Sequence, residues 1–118
     1  MEPNPPLPGY KAGAIICVLW STVQAAEQGW SDLQTSIRTC GWQLSMAAWS
    51  QGPDYSFLAQ AMVVPFRSPY TRGTSGAEAI RLHRMSLLKR LQSFEIAHKQ
   101  HIRELVVAAA YIGPGFEA

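Results

Sequence analysis

The sequence is poor in charge and in cysteine, and it lacks the short patterns that mark common catalytic sites. Charged residues make up 15% of the chain, against about a quarter in ordinary globular proteins. So little solvating surface implies that some apolar surface is covered by a partner. The two cysteines, Cys17 and Cys40, are too few for a disulfide framework. Without Cys-x-x-Cys spacing, dithiol redox chemistry and zinc ribbons are excluded. Cys17 lies within the apolar stretch Ile15–Leu19, where a small buried thiol is the ordinary occupant. Both cysteines read as reduced and structural, which favours a reducing intracellular compartment.

Catalytic patterns are missing as well. There is no G-x-x-x-x-G-K-[ST], no G-x-G-x-x-G and no G-x-S-x-G. Gly113-Pro114-Gly115 follows a helical stretch and has the wrong polarity to cradle phosphate. The three histidines, His83, His98 and His101, fall on one predicted helix. Pairing one with a cysteine nucleophile needs an exposed, activated thiol, and Cys17 reads as buried. Glu95-Ile96-Ala97-His98 is the half-motif of di-iron carboxylate bundles, with His101 following and Glu27 as a further carboxylate. One chain supplies only one such half, so these residues read as a polar helix face with histidines open to protonation. The expectation is no catalytic residue, no metal, no cofactor and no enzymatic activity.

A long hydrophobic run is also absent. Residues 12–26 (AGAIICVLWSTVQAA) are uncharged but include Ser21, Thr22 and Gln24. A spanning helix needs about 20 predominantly apolar residues. The start, Met1-Glu2-Pro3-Asn4-Pro5-Pro6, lacks the basic region of a secretory leader. The segment reads as a buried helix, with a membrane anchor over 12–26 as the alternative.

The remaining composition is that of one folded unit. Apolar residues reach 47% of 118 residues, enough for a single domain with a core of its own. The net charge of +2 divides unevenly. Residues 1–66 hold Lys11 and Arg38 against Glu2, Glu27, Asp32 and Asp54, giving −2, so residues 67–118 carry +4. A basic half is compatible with nucleic-acid contact and equally with a solvated face.

Residues 1–9 hold Pro3, Pro5, Pro6 and Pro8, an extended arm. The domain then covers 10–118. Spacing predicts a helix over 10–28, stopped at Gly29. One helix, or two broken near Gly41, follows over 30–51, with Ser31 as N-cap and Leu33, Ile37, Cys40 and Leu44 on one face. Trp42, Met46 and Trp49 form a second row; with Trp20 and Trp30 they read as core or contact material. A short helix over 53–64 is predicted next. Residues 65–76 read as loop, with Arg67 and Arg72 flanking Tyr70. Ser75-Gly76-Ala77-Glu78 fits a capping box opening a long helix over about 76–112. Ile80, Leu87, Leu91, Phe94, His98, Ile102, Leu105, Ala109 and Ile112 trace a narrow seam along it. No convincing strand alternation and no internal repeat is visible, so the expected fold is all-α: a bundle of three to four shorter helices with one long C-terminal helix.

The function expected is that of a non-enzymatic helical interaction protein, self-associating or a small subunit of a larger assembly. Leu87, Leu91, Phe94 and Leu105 are the candidate interface. A second reading places RNA or an acidic partner on Arg81, Arg84, Lys99 and Arg103, which would share one helix face. A third is a membrane-associated accessory subunit.

Overall fold

The computed structural model describes residues 9–51, 57–65 and 76–113; at 45, 46, 48–51, 57–65 and 76–80 it describes the backbone alone. The order of elements is β1 (Lys11–Trp20), α1 (Val23–Thr39), β2 (Trp42–Gln51), β3 (Phe57–Pro65), α2 (Gly76–Ala97) and β4 (Ile102–Ile112). The strands form one sheet in the order β2-β3-β1-β4, each neighbouring pair antiparallel. This is the β-α-β-β-α-β arrangement of ferredoxin-like folds.

The protein is therefore mixed α/β, and the all-α expectation is corrected. The stretch 10–28 is not a helix: most of it is β1, the inner strand between β3 and β4. Strand residues alternate across the sheet. Ala14, Ile16, Val18 and Trp20 are buried against the helices, while Ile15, Cys17 and Leu19 lie half-buried on the other face. An inner strand is apolar on both faces, so its sequence reads as an unbroken run and mimics a helix buried all round. The same placement removes residues 12–26 as a spanning helix, since they divide between β1 and the start of α1. No described helix is long and apolar enough to cross a membrane.

α1 begins where Thr22, in extended conformation, accepts a hydrogen bond on its side chain from the Ala25 amide at 3.0 Å. It buries Ala25, Ala26, Gly29, Leu33 and Ile37. Gly29 does not stop this helix. A Cβ there would strike the Trp20 ring, so glycine is what lets the indole seat against α1. The helix ends at Cys40, and Gly41 turns the chain into β2 with a φ of 85°.

The expected long helix 76–112 breaks in two. α2 stops at Ala97, and 102–112 returns as β4 beside β1. No glycine or proline marks the break. The Phe94 carbonyl accepts from both the His98 amide and the His98 Nδ1, each at 3.0 Å. The His98 carbonyl then accepts from the amides of His101 and Ile102. The Ser21 amide donates to the His101 carbonyl at 2.8 Å, tying this turn to the end of β1. Residues 42–51 and 57–65 are likewise strands where helices were expected. Arg67, Tyr70, Arg72, Ser75 and most of the N-terminal arm lie outside the described residues.

Candidate interaction surface

Both helices bury their apolar stripes on one face of the sheet. α2 contributes His83, Leu87, Leu91 and Phe94, which join Leu33, Ile37 and the inward residues of β1 in one core. Trp20 meets Phe94 edge-on at 6.3 Å between ring centroids. This resolves the first candidate interface. Leu87 and Leu91 are wholly buried, Phe94 is 5% exposed and Leu105 packs against the same core. Only the α2 part of the seam, Leu87 to Phe94, is a helical stripe, and α1 and the sheet of the same chain fill it; Leu105 lies on β4.

The second candidate set is not one surface. Arg81 and Arg84 lie on α2, Lys99 in the turn after it and Arg103 on β4. Arg84 donates through Nε to the Gly13 carbonyl at 3.1 Å and through a terminal nitrogen to the Ala110 carbonyl at 3.4 Å. It therefore holds α2 to the β1–β4 pair. The expectation of a single basic helix face assumed that the helix continued to Arg103, and it ends at Ala97.

The histidines are structural in their contacts. His83 Nε2 lies 3.0 Å from the Cys40 carbonyl, so this nitrogen carries the proton, because a carbonyl can only accept. Its ring tilts against Trp42 at 4.9 Å between centroids. Sequence reading placed His83 on the long predicted helix with the other histidines and missed that it is a buried link from α2 to the end of α1. His98 stacks on Phe94 at 4.1 Å, with Nε2 3.6 Å from Asp32 Oδ2. No group of three or more His, Cys, Asp or Glu side chains that could hold a metal occurs among the described residues. A concavity of about 400 Å³ on α2 is lined by Ser86, Lys89, Arg90 and Ser93 together with Leu82 and Met85, with no carboxylate, imidazole or thiol in that lining. Burial raises the thiol pKa of Cys17 and of Cys40; at Cys40 the nearby Arg90 charge pulls weakly the other way. Both thiols are thus held protonated, the opposite of an activated nucleophile.

What the fold leaves open is the other face of the sheet. Ile15, Cys17 and Leu19 line its centre, and no described element covers them. The register places Ala108 and Met62 beside Ile15, Val106 and Gln60 beside Cys17, and Glu104 and Leu58 beside Leu19. Val106 is 45% exposed and Ala108 is exposed. The sequence signal for this surface was the lack of alternation in β1: a strand with one wet face would carry polar residues there.

No family model matches the chain, and no curated protein matches it. Among solved structures it is similar to the C-terminal domain of the MgtC protein from Mycobacterium tuberculosis, determined in solution, with a TM-score of 0.59. The match covers 88% of this chain and 92% of that domain at 10% identity, so what the two share is the fold.

Proposed function

We propose that the chain is a non-enzymatic interaction domain whose open sheet face is covered by a protein partner within a larger assembly. The supporting observation is the aliphatic centre of that face, Ile15, Leu19 and Val106, with no second layer from the described residues. A monomer gains nothing by keeping apolar side chains on a wet sheet face, whereas an interface core is built from such residues. The chemistry disfavours nucleic acid on this face. Four-stranded sheets that bind RNA stack bases on aromatics from their central strands. Here the corresponding positions of β1 are Ile15, Cys17 and Leu19. The structural neighbour is one domain of a longer protein, so the same fold there also works beside other polypeptide.

The test is co-purification of the tagged chain, sized by light scattering with the 260/280 nm ratio recorded. The wild type should elute as a complex heavier than the chain with a protein-like ratio, and Ile15→Lys should elute without its partner while keeping native helix content. A raised ratio that falls in high salt would replace this reading with RNA binding. Retention of the complex by Ile15→Lys would remove the sheet face from the interface.

A further inference from the structure

We infer that the outer edge of β4 pairs antiparallel with β4 of a second copy. The inference rests on the interaction reading above but uses a different surface, the sheet edge rather than its face.

β2 and β4 are the two edges of the sheet, and they are not alike. Edge strands in proteins that stay apart are blunted by shortness, proline, inward charge or a bulge. β2 carries a register irregularity between Leu44 and Met46. β4 runs eleven residues without proline; its one irregularity against β1 falls at Arg103, between the pairs Trp20–Ile102 and Leu19–Glu104, and the register is unbroken from Glu104 to Ile112. Its only charged residues are Arg103 and Glu104, at one end. Among the described residues it pairs with β1 alone, which leaves its other side as a row of backbone donors and acceptors.

The strand is compatible with itself. A two-fold axis at Val107 pairs the regular part of the strand, Glu104 to Ala110, with the same part of the second copy. Leu105 then faces the partner copy's Ala109, and Val106 faces its Ala108, large against small on each face of the sheet. Glu104 faces Ala110, so no like charges oppose each other along the paired backbone. Such an isologous contact removes both exposed edges at once and closes. The chain's own proline-rich arm is a poor occupant, because Pro3, Pro5, Pro6 and Pro8 have no amide to donate.

The helix side of the edge adds a second contact. A cleft of about 230 Å³ lies between α2 and β4, lined by Met85, Leu87, Leu88, Val107 and Ala109 together with Arg81 and Arg84. Met85 and Leu88 are 43% and 42% exposed, large apolar side chains beside the strand. Strand addition next to such a cleft gives main-chain bonds for affinity and side-chain pockets for register. In the pair the two clefts close over the two-fold, covering Met85 and Leu88 of each copy.

The experiment uses the full chain at a series of concentrations, sized by light scattering. A mixture of isotope-labelled and unlabelled protein then supplies intermolecular proton contacts by filtered NMR. Expected are a mass twice the 13.0 kDa of one chain and intermolecular contacts from Leu105 to Ala109 and from Val106 to Ala108. Ala109→Lys, on the exposed helix side of the edge, should weaken the dimer about tenfold or more, with Ile15→Lys leaving the dimer intact. A monomer at all concentrations would overturn the inference, as would a dimer that lacks those contacts. A dimer broken by Ile15→Lys and not by Ala109→Lys would also overturn it, and would place the second copy on the sheet face.

Discussion

Gly41 sits at a φ of 85°, in the left-handed region where a Cβ meets the following carbonyl. Gly41→Ala should cost about 1–2 kcal/mol, measured as a lower urea midpoint with an unchanged slope. His83 makes a spectroscopic prediction. Its Nε2 faces the Cys40 carbonyl, so the nitrogen-15 spectrum should show Nε2 as the protonated ring nitrogen. A proton on Nδ1 instead would break the link drawn here between α2 and α1. The thiols make a prediction about pH. Burial raises both above the ordinary value, so the unfolded chain releases these protons first as pH rises. Their contribution to stability is fully present below the unfolded thiol pKa and is lost as pH climbs through the folded one. Alkylation at neutral pH should accordingly be slower at Cys17 and Cys40 than at an exposed peptide thiol, and should speed up on unfolding in urea.

At the scale of elements, the helices were more legible than the strands, and the reason is physical. Leu33 and Ile37, and again Leu87, Leu91 and Phe94, recur at three- and four-residue spacing and do form buried helical stripes. The seam became illegible where it ran past Ala97. Leu105 and Ala109 continue a four-residue spacing by chance, while Val106 and Val107 are the β-branched pair that favours a strand. The turn between them is capped by the side chain of His98, which carries no breaker signature. The start of α1 was missed for a related reason: Thr22 follows ten strand residues that look helical, so its capping role was hidden. Of the candidate site, Leu87, Leu91 and Phe94 do form one stripe on α2 while Leu105 lies on β4, all four belong to the core, and the open face was invisible until β1 was known to be a strand. Three variants test this. Thr22→Ala should cost about 1 kcal/mol, read as a lower thermal midpoint. Leu91→Ala should cost about 2–5 kcal/mol, and Leu91→Asp should prevent folding; folded Leu91→Asp would contradict the burial of this position.

At the scale of the whole molecule, the helices protect one face of the sheet, and nothing among the described residues covers the other. Amide exchange should divide along the same line as the pairing. The inner strand β1, bonded on both sides, should be slowest, and β4 should be intermediate as an isolated copy and slower as concentration rises. The order of the strands has one more consequence, in time instead of space. β1 is made before its partners, β3 after α1 and β2, and β4 last of the six described elements, with Lys11 meeting Ile112. Until β4 leaves the ribosome, one side of the most apolar strand has nothing to bond. Long-range pairing of this kind slows folding and leaves the nascent chain open to wrong partners. The newborn protein thus presents Ala12–Trp20 to the cell before the rest of its sheet exists, and a holding chaperone would meet that segment first.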